Sequence, residues 1–387
     1  MQYISSRTES FTESVIREMT RRCAAVDGVN LAQGFPDFNP PEEIVEAAIR
    51  AMREGYNQYA ITWGSPRLRR AICEKVGSYN RIDADPDKNV TVTCGATEAM
   101  MSALLAIIDP GDEVIIFEPY YENYGPDAIV SGAKPVYVPL IEPDFTFDPD
   151  ALRAAFSDKT KAIIINTPHN PSGKVFTIQE LNLISELCNR HDALVVTDEI
   201  YEHILYDGAR HISPASVQGL EDRTITISGL SKTYSATGWR IGYTIAPEPI
   251  TNAIRKVHDF LTVGAPAPLQ EAGVAAMQLP KSYYTNLAQF YQDKRDIICE
   301  ELTKVGFRPF VPKGAYYVLT DISSFHAAND TEFAIRLVNE VGVATVPGSS
   351  FYSTDALGRT KIRFAFCKTE ETLRTAIEKL RRLEERS

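Results

Sequence analysis

Three groups of residues have types and spacing that could do chemistry. Gly95-Ala96-Thr97 offers free backbone N–H groups and a hydroxyl where a helix is expected to start. That arrangement holds a phosphate at the positive end of a helix without many full charges. Asp198, which closes an apolar run, could ligate a metal, cap a helix or pair with a protonated ring nitrogen. Neither a second carboxylate nor a histidine stands at ligand spacing from it, which disfavours the metal, and the adjacent Glu199 is expected to point away. Lys232, between Ser231 and Thr233, lies among small and hydroxylic residues, an unusual setting for a lysine whose only task is to be solvated.

The elements that must position these groups are short β-branched or apolar runs at 90–93, 114–117, 136–138, 162–165, 194–197, 224–228 and 241–245, which read as seven strands. Helix-length segments such as 97–108 and 177–191 separate most of them, the alternation of a mainly parallel sheet covered on both faces. Only about a dozen residues separate the last two runs, too few for a crossover helix, so the last strand is expected to be antiparallel and the sheet mixed. Ligands of open α/β sheets sit beyond the carboxyl ends of the parallel strands. After those ends come Gly95-Ala96-Thr97, Pro119-Tyr120-Tyr121, Asn166 through Asn170, Asp198 with Tyr201, and Ser231-Lys232. One pocket could hold them all.

A helical stretch at 286–305, a run at 315–321, a helix at 332–341 and a strand-like 361–366 suggest a smaller α+β domain. The expected division is an N-terminal segment 1–40 packing with that small domain, a large domain 41–284 and a small domain 285–387. At 387 residues the chain exceeds the usual size of a single core. It carries no apolar run long enough to cross a membrane, and its first dozen residues lack the pattern of a secretory signal, so a cytoplasmic location is expected. Six scattered cysteines without a CxxC pair fit reduced thiols better than a disulfide or zinc framework. A net charge of −11 argues against bulk nucleic-acid binding.

The stretch SGLSKTYSATGWRIGY (228–243), with TPHNPSG (167–173) and VTDEIYEH (196–203), resembles the class I/II aminotransferases, the fold-type I pyridoxal-phosphate enzymes. QGFPDF (33–38), NQYAITWG (57–64), DPGDEVIIFEPYY (109–121) and KIRFAF (361–366) extend the likeness through nearly the whole chain. Order and spacing look most like the branch of kynurenine and glutamine transaminases and bacterial aspartate or methionine aminotransferases. The resemblance implies pyridoxal 5′-phosphate as cofactor, an amino acid and a 2-oxo acid as substrates, ping-pong kinetics and a homodimer.

Carried over residue by residue, it makes Lys232 the Schiff-base lysine and Arg240 a phosphate ligand, joined by Gly95, Ala96, Thr97 and Ser231. Asp198 would pair with the ring nitrogen, Asn170 and Tyr201 with the ring oxygen, and Tyr121, or Tyr120 in the alternative register, would stack on the ring. Arg363 would bind the substrate carboxylate as a planar fork, Asn170 and Gly34 would approach the same carboxylate, and Tyr59 would reach the phosphate from the partner subunit. Relatives often carry a serine where Gly229 stands, so Ser231 or Ser228 is the substitute phosphate contact. The specificity markers of relatives are missing at Thr97 and around Val263 and Gly264. The rival outcomes are a carbon–sulfur β-lyase on the same cofactor and a non-enzymatic regulator on the same fold.

Overall fold

The computed structural model describes residues 3–386. Its strands, in chain order, are β1 (Val29–Asn30), β2 (Val90–Thr93), β3 (Glu113–Glu118), β4 (Lys134–Ile141), β5 (Thr146–Phe147), β6 (Thr160–Asn166) and β7 (Leu194–Asp198). There follow β8 (Thr224–Gly229), β9 (Gly242–Ile245), β10 (Arg308–Phe310), β11 (Tyr317–Asp321), β12 (Val343–Ala344), β13 (Val346–Pro347) and β14 (Lys361–Ala365). The large sheet has the order β2-β9-β8-β7-β6-β3-β4-β5. Pairs from β4 through β3, β6 and β7 to β8 are parallel, and β9 runs antiparallel to both its neighbours.

All seven expected strands are present, and the sheet has eight because β5 adds a two-residue antiparallel edge to β4. Two residues are too short for alternation to mark them as a strand.

The period of two along a strand sorts the core into two layers. Val114, Ile116, Ile164, Val196 and Ile227 face one side with Met100, Ala103 and Leu104 of the helix Gly95–Ile107. Ile115, Phe117, Ile163, Ile165 and Val195 face the other, against Leu181, Ile184 and Leu187 of the helix Ile178–His191. With both faces covered, these strands need apolar residues at every position, which explains their continuous runs. Each fully buried Ile or Leu contributes roughly 1.5–3 kcal/mol. The helix Ile178–His191 starts at a capping box of Thr177 and Glu180 and stops at Asp192, whose φ is 51°.

A four-stranded antiparallel sheet, β10-β11-β14-β13, packs with the 25-residue helix Lys281–Val305 and the helix Glu370–Leu380. The run expected at 315–321 begins as a strand only at Tyr317. The expected helix at 332–341 is an α-helix to Arg336 that widens into a π turn, Leu337–Val341. The N-terminal helix Val15–Ala25 places Ile16, Met19 and Cys23 on Ala334, Val338 and Val346, and β1 pairs in parallel with β12.

β9 brings Gly242 against the start of the helix Gly95–Ile107, where an added Cβ would stand 2.4 Å from the Gly95 carbonyl carbon and 2.6 Å from the Ala96 nitrogen. Backbone cannot yield as a flexible side chain can. Gly242→Ala should therefore cost about 1–3 kcal/mol in urea unfolding. Gly77→Ala, in a helix with only one ordinary contact nearby, should instead gain about 0.5–1 kcal/mol. Equal effects of the two would contradict this packing.

Candidate active site

The carboxyl ends of β6, β7 and β8 and the start of the helix Gly95–Ile107 converge on a cavity of about 570 Å³. Gly34, Ala96, Thr97, Tyr121, Asn170, Asp198, Tyr201, Ser231, Lys232 and Arg240 line it. With Asn166, eleven of the residues singled out in the sequence thus share one wall, although they span more than half the chain.

Lys232 enters from the loop after β8. Its Nζ donates to the Gly34 carbonyl at 2.9 Å and faces the rings of Tyr316 and Tyr201 at 5.6 and 5.9 Å. The Tyr316 hydroxyl donates to the same carbonyl at 2.9 Å. Burial disfavours the ammonium form and lowers the Lys232 amine to about 8. About a tenth is then an uncharged nucleophile at pH 7, far more than for an exposed lysine.

Asp198 ends β7. Its Oδ2 accepts from the Tyr124 hydroxyl at 2.8 Å and its Oδ1 from the Ile200 N–H at 3.2 Å. Burial raises its carboxyl, while the Tyr124 and Ile200 donors and the charge of Lys232 pull it back. Asn166 sets the neighbouring loop: its Nδ2 donates to the Asp198 carbonyl and its Oδ1 accepts from the Asn170 N–H. Tyr124 and Tyr317, whose hydroxyl lies 3.1 Å from that of Tyr201, were given no role from sequence.

An anion cup lies at the other end. The helix Gly95–Ile107 has no side-chain cap, and the N–H groups of Ala96 and Thr97 belong to the set that a helix cannot satisfy internally. Gly95, at φ 83°, leaves room for Arg240, whose Nη2 would be 2.3 Å from a Cβ there. Gly95 itself stands behind that guanidinium and not in the wall. Of the two serines offered for the phosphate, Ser231 lines the cavity, whereas Ser228 donates to Glu202 at 2.9 Å on the far side. Uncapped N–H groups and an arginine at one end, a buried carboxylate at the other and an amine between them fit a phosphorylated, protonated pyridine aldehyde.

Several candidates lie elsewhere. Tyr120 stacks on Tyr137 with centroids 5.2 Å apart, leaving Tyr121 in the wall. Arg363, fully buried in β14, is behind the wall. Its Nη1 donates to Asn170 Oδ1 at 2.9 Å and its Nη2 to the Ala32 carbonyl at 2.7 Å, while its Nε has no partner. Tyr59 is 87% exposed and outside the cavity of its own chain. Val263 and Gly264 are also outside it.

Glu199 points away, as expected, and accepts from Ser213, Asn80 and His211. The fold brings Glu199, Glu202 and His211 within metal-ligand reach of one another, a cluster that sequence spacing did not reveal. Lys75, paired with Glu202, is the cation within it.

Comparison with known proteins agrees with this geometry. Residues 26–380 match the family Aminotransferase class I and II. The chain is 38% identical to a probable N-succinyldiaminopimelate aminotransferase of Mycobacterium tuberculosis over 98% of both chains. It is 37% identical to human kynurenine–oxoglutarate transaminase 1 over 94% of both. The solved structure of the N-succinyldiaminopimelate aminotransferase from Mycobacterium tuberculosis superposes with a TM-score of 0.96 at 37% identity, covering 98% of this chain and 100% of the other. An Escherichia coli methionine aminotransferase superposes at 0.94 with 35% identity, covering 99% and 100%.

The chain belongs to the class I and II aminotransferases. It is a pyridoxal-phosphate enzyme of fold type I that moves an amino group between an amino acid and a 2-oxo acid, and these relatives do not favour the lyase.

In cofactor-free protein the Lys232 amine should titrate near 8, measured as the pH dependence of its acylation by mass spectrometry. A midpoint near that of an exposed lysine, about 10.4, would contradict the burial account.

Proposed function

We propose that Lys232 is the group that binds the cofactor and moves the substrate proton, with the remaining cavity residues holding the reactants around it. The observation that carries this reading is a desolvated amine between an anion cup and a buried carboxylate. When bound, pyridoxal phosphate supplies a carbonyl for the amine and a ring that accepts the electron pair left as the Cα–H bond breaks.

Arg240, Ser231 and the N–H groups of Ala96 and Thr97 hold the phosphate. Asp198, steadied by Tyr124, holds the proton on the ring nitrogen. Asn170 and Tyr201 donate to the ring oxygen, and Tyr121 covers one face. Arg363 receives the substrate carboxylate, exchanging its Ala32 or Asn170 contact for a fork on two oxygens, with Gly34 beside it. Freed by the substrate amine, the Lys232 amine would serve as the base for the Cα proton and as its carrier across the cavity. The pyridoxal-phosphate family's transfer from an amino acid to a 2-oxo acid would then run with ping-pong kinetics.

The same reading includes the division at residues 40 and 284, a cytoplasmic location and a homodimer. Among the described residues no helix is long and apolar enough to cross a membrane. An apolar surface of Tyr59, Ile61 and Trp63 with Phe260, Leu261 and Val263 supports the dimer. The two segments are tied by the 2.8 Å contact of His258 Nε2 with the Thr62 carbonyl, and Phe260 is 93% exposed. Across such an interface Tyr59 would reach the partner's phosphate.

Lys232→Ala should lose about 10²–10⁴-fold or more in kcat, and Arg363→Ala should raise KM for the amino acid about 10–100-fold. The measurement is a half-reaction screen of amino acids against holoenzyme. A Lys232→Ala enzyme that transaminates at the native rate would exclude the assignment. Phe260→Asp should shift the sedimenting species from dimer to monomer at micromolar concentration, and an unchanged dimer would rule this surface out.

A further inference from the structure

Asp127 lies in the same wall but belongs to none of the motifs. It follows Tyr124 by three residues in the helix Tyr124–Ser131, so both side chains leave one face of that helix, and both line the cavity. Asp127 is 6% exposed, and its Oδ2 has no hydrogen-bond partner among the described residues. Asp198, by contrast, keeps the Tyr124 hydroxyl and the Ile200 N–H as donors. Two carboxyl groups thus share one wall, and Asp198 has a donor on each oxygen while Asp127 Oδ2 has none. Burial, and then the charge of Asp198, push the Asp127 carboxyl up to about 7. Tyr121 and Tyr124 feel its charge from the adjoining loop and helix, Met100 lines the wall from the helix Gly95–Ile107, and Arg17, Glu122, Lys232 and Arg240 are the remaining charged residues around the cavity.

We propose that Asp127 is a positioning residue for transamination, a second acid that acts through the Asp198–Tyr124 pair on the protonated ring nitrogen of the cofactor. This rests on the role given above to Asp198. In the cofactor-free protein this buried acid holds its proton up to near neutral pH. A ring cation held at Asp198 favours the ionised form of Asp127, and ionised Asp127 favours the ring cation in return, since the coupling is reciprocal. It is the placement of Asp127, with no donor on Oδ2, that makes it respond to charge on the ring.

The test uses the whole protein with and without cofactor. In the cofactor-free protein, ¹³C-carboxyl NMR should show an Asp titrating near 7 that vanishes in Asp127→Asn and moves to lower pH in Asp198→Asn. In the holoenzyme, the pH titration of the visible cofactor band should fall by about half a unit or more in Asp127→Asn and return in Asp127→Glu. A carboxyl of ordinary pKa at Asp127, or a band whose titration does not move in Asp127→Asn, overturns the proposal. Absence of any visible band in the wild-type protein overturns instead the cofactor role of Lys232 and Asp198. If Asp127→Asn does not fold, the wild-type NMR titration decides alone.

Discussion

Easing the proton off an amine while supporting a carboxylate within the same cavity is the constraint on which the rest of this structure depends. Burial acts on the two groups in opposite electrical senses, since it destabilises whichever form carries charge. Lys232 has the Gly34 carbonyl and aromatic faces but no carboxylate bonded to its amine, and the loss of water outweighs what they return. Asp198 receives a hydroxyl and an N–H donor, which sustain its anion. The difference between the two sites is one of donors and acceptors and not of depth. A cofactor that needs a free amine at one atom and a proton at another is served by both.

The mainly parallel sheet makes this arrangement possible. Adjacent parallel strands finish at one edge, so residues far apart in sequence converge without long loops. Asn166 and Asp198 are paired in register at the ends of β6 and β7, and β8 delivers Lys232 beside them. The antiparallel β9 returns Gly242 to the start of the helix Gly95–Ile107, where the absence of side chains lets the backbones touch. The phosphate cup proposed here therefore depends on strand packing as much as on Arg240.

Much of this was legible in the sequence because period and punctuation are local. The seven runs match the seven principal strands, and the short interval between the last two sets the direction of β9. The residues after the strand ends, with those carried by the resemblance, include eleven members of the wall. What was not legible depends on three-dimensional neighbours. Arg363 was expected in the cavity, yet it lies behind the wall with its Nη atoms on Asn170 and Ala32. Its place was inferred from the resemblance, which carries a role but not the contacts made by this chain. The grouping of His211 with Glu199 and Glu202 joins a loop to a strand end, and no spacing encodes it. Asp127 carries no signal in the sequence, because a single aspartate in a helix is commonplace until its missing partner is seen.

The central claim is that one amine, that of Lys232, is built to hold the cofactor. Lys75, Lys174, Lys294, Lys361 and Lys368 are less exposed than the half-buried Lys232, so burial alone does not select it; its place in the cavity does. The most direct test is borohydride reduction of the holoenzyme followed by peptide mass mapping. The account predicts a phosphopyridoxyl group fixed to Lys232 and to no other lysine. Attachment at a different lysine, or a protein that takes up the cofactor without any covalent trace after reduction, would contradict it.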